Sequence, residues 1–457
     1  MRSGVAVLLT LGILSMACGP SAHLADVPPT SSASSESLGP AGPLAPVAYI
    51  PPQCVNTPIA TVPPPKTLEA ATSIAQANPP LTTAQQLEVL DGLVNAVRDH
   101  YVYPEAVSEE WLARAWESRS RVEAGLDTQV LYAELPLLVQ ALGDEHSYYQ
   151  TPQEVIAEAA AISGTYEFVG VGALFQPIGD GEGATVLAVF EGGSAWHAGL
   201  QPHDALLAVD GGPIRDAQGM SRTRGPECSA AVLTIRSPGG APRDLMLIRS
   251  KVSAPMSIDP RWVSTSDGSK VGYLFLPTLL DEEIPDTVRL ALEEFGPLDG
   301  LILDNRMNGG GLGSSTKQVL GFFTSGVVGS FVTRESVEAW EIPSHPVHNS
   351  LDTPLVVLVS EDTVSYGEIL SGVLEDTGRA RLIGEATLGN VEQLRRYDFA
   401  DGSRAWLASA RFEPLNSAAD WEKEGLTPEI EVIADWETFT FESDPAIAAA
   451  LEVFGYR

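Results

Sequence analysis

Residues 301–311 read L-I-L-D-N-R-M-N-G-G-G, and residues 354–368 read P-L-V-V-L-V-S-E-D-T-V-S-Y-G-E. Each stretch is a short apolar run that ends in a turn of small residues, which is typical of a buried parallel strand. Reactive groups lie at the carboxyl ends of such strands, where backbone N–H groups are free. Together the two motifs predict an α/β protein that carries Ser365 as a nucleophile.

Composition excludes several classes of partner. The chain has 457 residues, 44% of them hydrophobic, which is enough for two or three domains. Its 60 acidic and 27 basic side chains give a net charge of −33, which repels polyanions, so we expect no nucleic-acid partner. The histidines are scattered, and neither H-E-x-x-H nor paired C-x-x-C occurs, so we expect no metal and no other cofactor.

Residues 1–18 have the pattern of an export signal: an early arginine, the apolar run V-A-V-L-L-T-L-G-I-L, and the ending S-M-A-C. The apolar run is too short to span a bilayer. Cys18 resembles the lipidated cysteine of a bacterial lipoprotein, although Leu14 lies one place further from it than is usual. We therefore expect export from a bacterial cell to the periplasm or outer surface, with membrane contact only through a lipid anchor on Cys18.

Residues 19–80 are rich in Pro, Ala, Ser and Thr, a composition that predicts a disordered linker. Cys54 in this segment is far from Cys228 in the sequence, and we expect no disulfide between them. A capping-box sequence at Thr82 then begins a predicted helical unit over residues 81–160.

Short strands punctuated by glycine follow, and residues 192–211 resemble the signature of PDZ domains. The resemblance implies a mainly-β domain over residues 165–250 that binds polypeptide tails by strand addition and captures the terminal carboxylate with backbone N–H groups. It assigns the carboxylate-binding loop to Val169, Gly170, Val171 and Gly172. His203 stands where that family usually has glycine.

The order of these segments resembles that of the C-terminal-processing (tail-specific) serine peptidases and their tricorn-core relatives, over about residues 85–435. The resemblance implies a multidomain α/β fold: a crotonase-like (Clp-like) α/β peptidase core over residues 251–440, an N-terminal helical unit and an inserted mainly-β PDZ-like domain. Residues 441–457 would form a C-terminal helix or tail. Protein or peptide substrates and nucleophilic Ser365 are also implied. The family motif D-x-R-x-N-x-G-G is matched by Asp304, Arg306, Asn308, Gly310 and Gly311, with Gly309 in place of its usual proline.

The general base departs from the pattern of the processing peptidases. Their base is a lysine in the loop that here reads G-E-A-T-L-G-N, and its position is occupied by Asn390, which cannot take a proton from a serine hydroxyl. The tricorn-like branch uses a histidine from before the PDZ-like insert, matched by His146, and a glutamate from the C-terminal part. Glu422 and Glu424 are both candidates for that glutamate, with Glu422 preferred.

Further roles follow from the same resemblance. Gly310, Gly311 and the N–H of Tyr366 are candidate oxyanion donors, and the Asn390 amide is a candidate for positioning substrate or its own loop. The preferred function is a serine endopeptidase that acts by acyl transfer at Ser365. Two alternatives stay open: an inactive pseudo-peptidase that serves as a peptide-binding scaffold, and a hydrolase of non-peptide acyl compounds on the same core.

Overall fold

The computed structural model describes residues 49–61, 80–144, 146–156, 168–178, 183–216, 221–252 and 260–456. They form two compact units. Unit 1 contains residues 80–156 and 260–456, and unit 2 contains residues 49–61 and 168–252. The expected export signal, Cys18 and most of the expected linker lie outside the described residues. Within those ranges, the helices are too short or too polar to cross a membrane.

The secondary structure of these ranges is a mixture of helices and strands. In chain order, the helices are α1 (Thr83–His100), α2 (Glu109–Glu123), α3 (Thr128–Gln140), α4 (Ser194–His197), α5 (Ile284–Phe295), α6 (Gly313–Gly321), α7 (Tyr366–Asp376), α8 (Trp421–Glu424) and α9 (Pro445–Phe454). The strands are β1 (Ala60–Thr61), β2 (Tyr148–Gln150), β3 (Phe168–Gly170), β4 (Ala173–Ile178), β5 (Gly183–Val189), β6 (Ala205–Val209), β7 (Ser229–Arg236), β8 (Arg243–Ile248), β9 (Ser250–Val252), β10 (Arg261–Val263), β11 (Val271–Phe275), β12 (Gly300–Asp304), β13 (Gly326–Val332), β14 (Val337–Ile342), β15 (Leu355–Val359), β16 (Arg381–Gly384), β17 (Gln393–Asp398), β18 (Arg404–Pro414) and β19 (Ile430–Glu431).

Unit 1 begins with the three helices α1, α2 and α3, which bury one apolar face each. Helix α1 starts where its sequence predicts. The Thr82 hydroxyl accepts from the Gln85 N–H, and the Gln85 side chain accepts from the Thr82 N–H at 3.0 Å. This reciprocal pair satisfies two backbone donors that a helix start otherwise leaves without partners.

The central sheet of unit 1 has the strand order β10-β11-β12-β15-β16-β19. All neighbours are parallel except β10, which is antiparallel to β11. Strands β12 and β15 are buried along their whole lengths, as their unbroken apolar runs predict. Asp304 pairs with Leu358 at the carboxyl ends of these two strands, so the turns that follow them leave the same edge of the sheet.

A second sheet of unit 1 has the order β14-β13-β18-β17, and β2 also pairs with β18. Both β2 and β17 run antiparallel to β18. They therefore run parallel to each other on its two sides. The residues that precede β2 and β17 consequently lie towards the same end of β18.

Unit 2 is mainly β, with the strand order β1-β7-β6-β5-β4 and β8 paired to β7. Strand β4 is an edge of this sheet. Strands β3 and β9 form a separate antiparallel pair.

The expectation that Cys54 and Cys228 do not pair is wrong. They form a disulfide, with Cα atoms 5.3 Å apart. Part of the expected linker is ordered on unit 2, because Pro52–Cys54 forms a 3₁₀ turn and Ala60 pairs in parallel with Ser229. That pairing brings the segment beside Cys228, so the sequence separation of 174 residues does not hold the cysteines apart.

Candidate functional site

Ser365 lies in the tight turn between β15 and α7, with φ 58° and ψ −126°. A side chain in this region costs on the order of 1–3 kcal/mol, so the surrounding contacts must enforce it. One such contact is the Val364 N–H, which donates to the Asn308 carbonyl at 2.9 Å. A Cβ on Gly367 would come within 2.5 Å of that same carbonyl, so the turn admits only glycine there. Ser365 itself is 8% exposed, so it is buried but not completely closed off from solvent.

The glycine turn after β12 packs directly on Ser365. A Cβ on Gly310, which has φ +89°, would lie 2.7 Å from the Ser365 Cβ. The Gly310 N–H donates to the Asn308 Oδ1 at 2.9 Å. In the described ranges, the N–H groups of Gly311 and Tyr366 donate to no protein acceptor. Of the three predicted oxyanion donors, Gly310 is therefore engaged within the protein, and Gly311 and Tyr366 remain available.

His146 is buried immediately before β2. Its backbone N–H donates to the Asp144 Oδ1 at 2.9 Å, and the Tyr101 hydroxyl donates to the other oxygen of Asp144 at 2.5 Å. The Nδ1 of His146 lies 3.5 Å from the Oε2 of Glu392. Because Glu392 immediately precedes β17, strand β18 brings the two residues together through the strands on its two sides.

Glu392 occupies the place expected for the carboxylate partner of His146, a role that the sequence predicted for Glu422 or Glu424. Its side chain is 1% exposed, and the Tyr103 hydroxyl donates to its Oε1 at 2.9 Å. Burial raises the pKa of Glu392, but the neighbouring His146 and Glu422 side chains outweigh burial and hold that pKa below its ordinary value. The available sequence signal was its position, two residues after Asn390 in the loop where the processing peptidases have their lysine.

Glu422, the preferred candidate, lies behind Glu392. Its Oε2 accepts from the Val391 N–H at 2.6 Å. Burial, and then the hydrogen bond with Glu392, raise the pKa of Glu422 to about 10. The two glutamates therefore share one proton and carry one negative charge near neutral pH. Glu424, the other candidate, is exposed on the surface of α8.

Glu368 connects the nucleophile turn to the loop that contains Asn390. One carboxylate oxygen accepts from the Ser365 N–H at 3.2 Å, and the other accepts from the Gly389 N–H at 3.0 Å. The residue is 1% exposed. Burial raises the pKa of Glu368 to about 7, against the lowering effect of hydrogen bonds from Thr387, Gly389 and Ser365.

Asn390 is buried, and neither atom of its amide has a hydrogen-bond partner in the described part of the chain. The Ser365 hydroxyl forms no hydrogen bond with Asn390 or His146 among these residues. A cavity of about 440 Å³ lies beside this loop. Its lining comprises Tyr101, Tyr103, Glu105, Ala106, Leu142, Gly143, Asp144, Leu388, Gly389, Asn390, Glu392, Glu422 and Lys423.

The charged residues of the D-x-R-x-N motif pair with each other and with the C-terminal segment. Arg306 donates to the Asp304 Oδ2 at 2.5 Å and to the Asp444 Oδ2 at 2.6 Å. Its guanidinium also lies over the Trp436 ring, 4.9 Å from the ring centroid. The Tyr273 hydroxyl donates to Asp304 at 2.6 Å. These residues fix the C-terminal segment of unit 1 to the central sheet.

The loop expected to bind a peptide carboxylate lies in unit 2. Val169 and Gly170 belong to β3, and the carbonyls of Val171 and Gly172 accept backbone N–H groups from Ala195 and Phe190. The loop leads directly into edge strand β4. No group of three or more His, Cys, Asp or Glu residues in the described ranges is arranged to hold a metal ion.

Known proteins resemble this chain over both sequence and fold. Residues 270–432 match the family model described as peptidase family S41. A carboxyl-terminal-processing protease of Synechocystis sp. is 29% identical over 303 residues, which cover 64% of this chain and 70% of that protein. The chloroplastic carboxyl-terminal-processing peptidase 2 of Arabidopsis thaliana is 30% identical over 345 residues, which cover 70% of this chain and 64% of that protein.

Two solved structures have a similar fold. The photosystem II D1 C-terminal processing protease superposes with a TM-score of 0.55 at 24% identity, covering 79% of this chain and 98% of that one. A Bacteroides fragilis protein described as an S41 protease superposes with a TM-score of 0.58 at 15% identity, covering 79% and 96%. The mixed α/β architecture is therefore one that S41 proteases adopt.

Proposed function

We propose that this chain cleaves polypeptides by acyl transfer through Ser365. Its residues 270–432 match peptidase family S41, and it is a serine-type peptidase. The observation that carries the proposal is the strained turn that holds Ser365 against Gly310, at the carboxyl edge of the sheet. A serine in ordinary loop structure needs no such conformation. The turn leaves the Tyr366 N–H, the next donor along the chain, free of protein acceptors.

In this mechanism His146 is the general base and Glu392 is its orienting partner. The Glu392 carboxylate holds the proton on Nδ1, so the imidazole Nε2 accepts the Ser365 proton as the hydroxyl oxygen attacks the scissile carbonyl. His146 then returns the proton to the leaving amine, and a water molecule hydrolyses the acyl-enzyme by the same route. Catalytic hydrogen bonds that are absent or loose without substrate can form in the Michaelis complex, and the proposed Ser365–His146 hydrogen bond would form at that stage.

The N–H groups of Gly311 and Tyr366 would stabilise the oxyanion. They are the predicted donors that no protein acceptor occupies. Removing one oxyanion donor typically costs about 3 kcal/mol of barrier. The unpartnered amide of Asn390 supports a role in holding substrate, and it supplies no base.

We also propose the finer assignment of the fold. Unit 1 would combine the N-terminal helical unit with a crotonase-like peptidase core, and unit 2 would be the inserted PDZ-like domain. The edge position of β4, immediately after Val169–Gly172, supports recognition of a polypeptide tail by strand addition. Export and lipid anchoring at Cys18 complete the proposal. The Cys54–Cys228 disulfide supports export, because such bonds persist in oxidising compartments.

A fluorophosphonate probe tests the function directly. It should label the wild-type protein, Ser365→Ala should abolish labelling, and His146→Ala should reduce it by at least about a thousandfold. Glu424→Gln is the matched control, since substitution of this exposed glutamate should leave labelling unchanged. Well-folded protein that never labels would contradict the proposal and favour a peptide-binding scaffold. Hydrolysis of esters with no cleavage of unfolded proteins would favour the non-peptide acyl hydrolase.

A further inference from the structure

Glu368 has a hydrogen-bonding arrangement that helix capping explains only in part. Its bond to the Ser365 N–H is the side-chain half of a capping box, with glutamate at the third position of helix α7. A capping box uses one carboxylate oxygen. The other oxygen accepts from Gly389, on the loop between β16 and β17, at 3.0 Å. A helix cap does not require this second contact.

The capping box of α1 provides the comparison within the same chain. There Gln85 accepts from the Thr82 N–H at 3.0 Å and is exposed to solvent. Glu368 makes the equivalent bond but is only 1% exposed. The neighbours of its buried carboxylate include Glu392 and Glu422. Burying a carboxylate beside two other acids is unfavourable. Capping alone needs only an amide such as Gln85.

We propose that Glu368 is a positioning residue that holds the Ser365 turn and the Gly389–Glu392 loop in one arrangement, so that the nucleophile faces the His146–Glu392 pair. The inference rests on the proposed function. The loop passes from Gly389 through Asn390 to Glu392, so a shift at Gly389 moves the residue beside His146. A carboxylate with two acceptor oxygens is the side chain that bonds both N–H groups at once.

The ionised form of Glu368 is the form that makes both bonds with full strength. Protonation places a hydrogen on one oxygen, which weakens that oxygen as an acceptor. The titratable groups that face Glu368 are Glu392 and Glu422; Ser365, Thr387 and Gly389 face it as hydrogen-bond partners. Since burial raises the pKa of Glu368 to about 7, its ionisation state changes around neutral pH.

Glu368→Gln tests the proposal with little change of shape. The amide oxygen keeps one N–H bond, but the amide nitrogen then faces the second N–H donor and cannot accept from it. We expect kcat and the fluorophosphonate labelling rate to fall about 10- to 100-fold, with KM changed less than about twofold, because a small misplacement of reacting groups has this effect. Gln85→Ala is the matched control. It removes a capping bond at an exposed helix start and should leave kcat unchanged.

The pH profile gives a readout that a purely structural role would not change. Deprotonation of Glu368 should add a titration near pH 7 to the acid side of the wild-type log(kcat/KM) profile. Glu368→Gln should lack that titration. A wild-type profile with the same shape as that of Glu368→Gln, or a variant with wild-type kcat, overturns the proposal, and so does a loss of activity that only parallels loss of folded protein. Failure of the wild type to label at all would instead contradict the proposed function.

Discussion

Unit 1 contains two clusters of charged side chains with their hydrogen-bond partners, and the clusters differ in how completely they are paired. In the arginine cluster, Asp304, Arg306, Asp444 and Tyr273, every carboxylate oxygen accepts at least one hydrogen bond. The glutamate cluster consists of Glu368, Glu392 and Glu422. It has no lysine or arginine ion pair among the described residues, and the Glu392 Oε2 has no hydrogen-bond partner there.

This difference indicates which cluster stabilises the fold and which takes part in proton transfer. Removing one partner of a buried, fully hydrogen-bonded ion pair is strongly destabilising, so the arginine cluster holds the C-terminal segment on the sheet. Buried acids without cationic partners are unfavourable for folding, so they persist where another function retains them. The contrast assigns stability to the arginine cluster and proton handling to the glutamate cluster. Each of the following substitutions tests that division.

Glu392→Gln should have the largest effect on activity. The amide can donate to His146 Nδ1 and so stabilise the tautomer whose Nε2 already carries a proton, which cannot accept the Ser365 proton. We expect kcat to fall about 10³- to 10⁴-fold. The measurement is the fluorophosphonate labelling rate together with peptide cleavage, with circular dichroism to confirm folding. A labelling rate within threefold of the wild-type rate would show that the glutamate cluster takes no part in catalysis.

Arg306→Met should have its main effect on stability. The substitution leaves Asp304 and Asp444 buried without their cation, which typically costs about 3–5 kcal/mol. Denaturant unfolding measures this loss, and the fraction that remains folded should still label at Ser365. An exposed arginine, Arg114, paired with Glu110, provides the control, and Arg114→Met should change stability by less than about 1 kcal/mol. Loss of labelling without loss of stability would remove the distinction between the clusters.

Glu422→Gln should change the pH dependence of stability. The pKa of Glu422 rises from its ordinary 4.5 to about 10 in the folded protein, so the folded state holds a proton that the unfolded state has released. The resulting stabilisation is complete below pH 4.5 and is lost as the pH rises towards 10. Glutamine mimics the protonated form, so the variant should gain stability relative to the wild type as the pH rises from 5 to 9. Parallel stability curves over that range would contradict the shared proton.

The parts of the fold that were predictable from sequence are those specified by local pattern. The apolar runs predicted buried strands β12 and β15, and the T-T-A-Q sequence predicted the start of α1. The turn that holds Ser365 followed from small residues after an apolar run. In each case the signal lies within a few residues of the structure that it specifies.

The features that were missed depend on the pairing of distant segments. Glu392 becomes the partner of His146 only because β2 and β17 flank β18, and neither neighbouring sequence indicates this pairing. The disulfide depends in the same way on β1 docking beside β7. Local composition at Cys54 predicted a linker, and the bond forms because this segment pairs with a strand that begins next to Cys228, 174 residues away.

Asn390→Lys should have the smallest effect and should give no gain in activity; it tests whether a lysine, the base of the processing peptidases, can work beside the glutamate cluster. The new ammonium would enter a buried loop beside Glu392, with Glu368 and Glu422 close by, and these carboxylates would keep it charged. A charged lysine cannot accept the Ser365 proton, so kcat should not exceed that of the wild type, and Asn390→Lys should not restore activity to His146→Ala. The labelling rate of both variants between pH 6 and pH 10 provides the measurement. Recovery of labelling in the variant that combines Asn390→Lys with His146→Ala would show that a lysine can act as base here despite the neighbouring acids. The glutamate cluster would then no longer explain why asparagine occupies position 390.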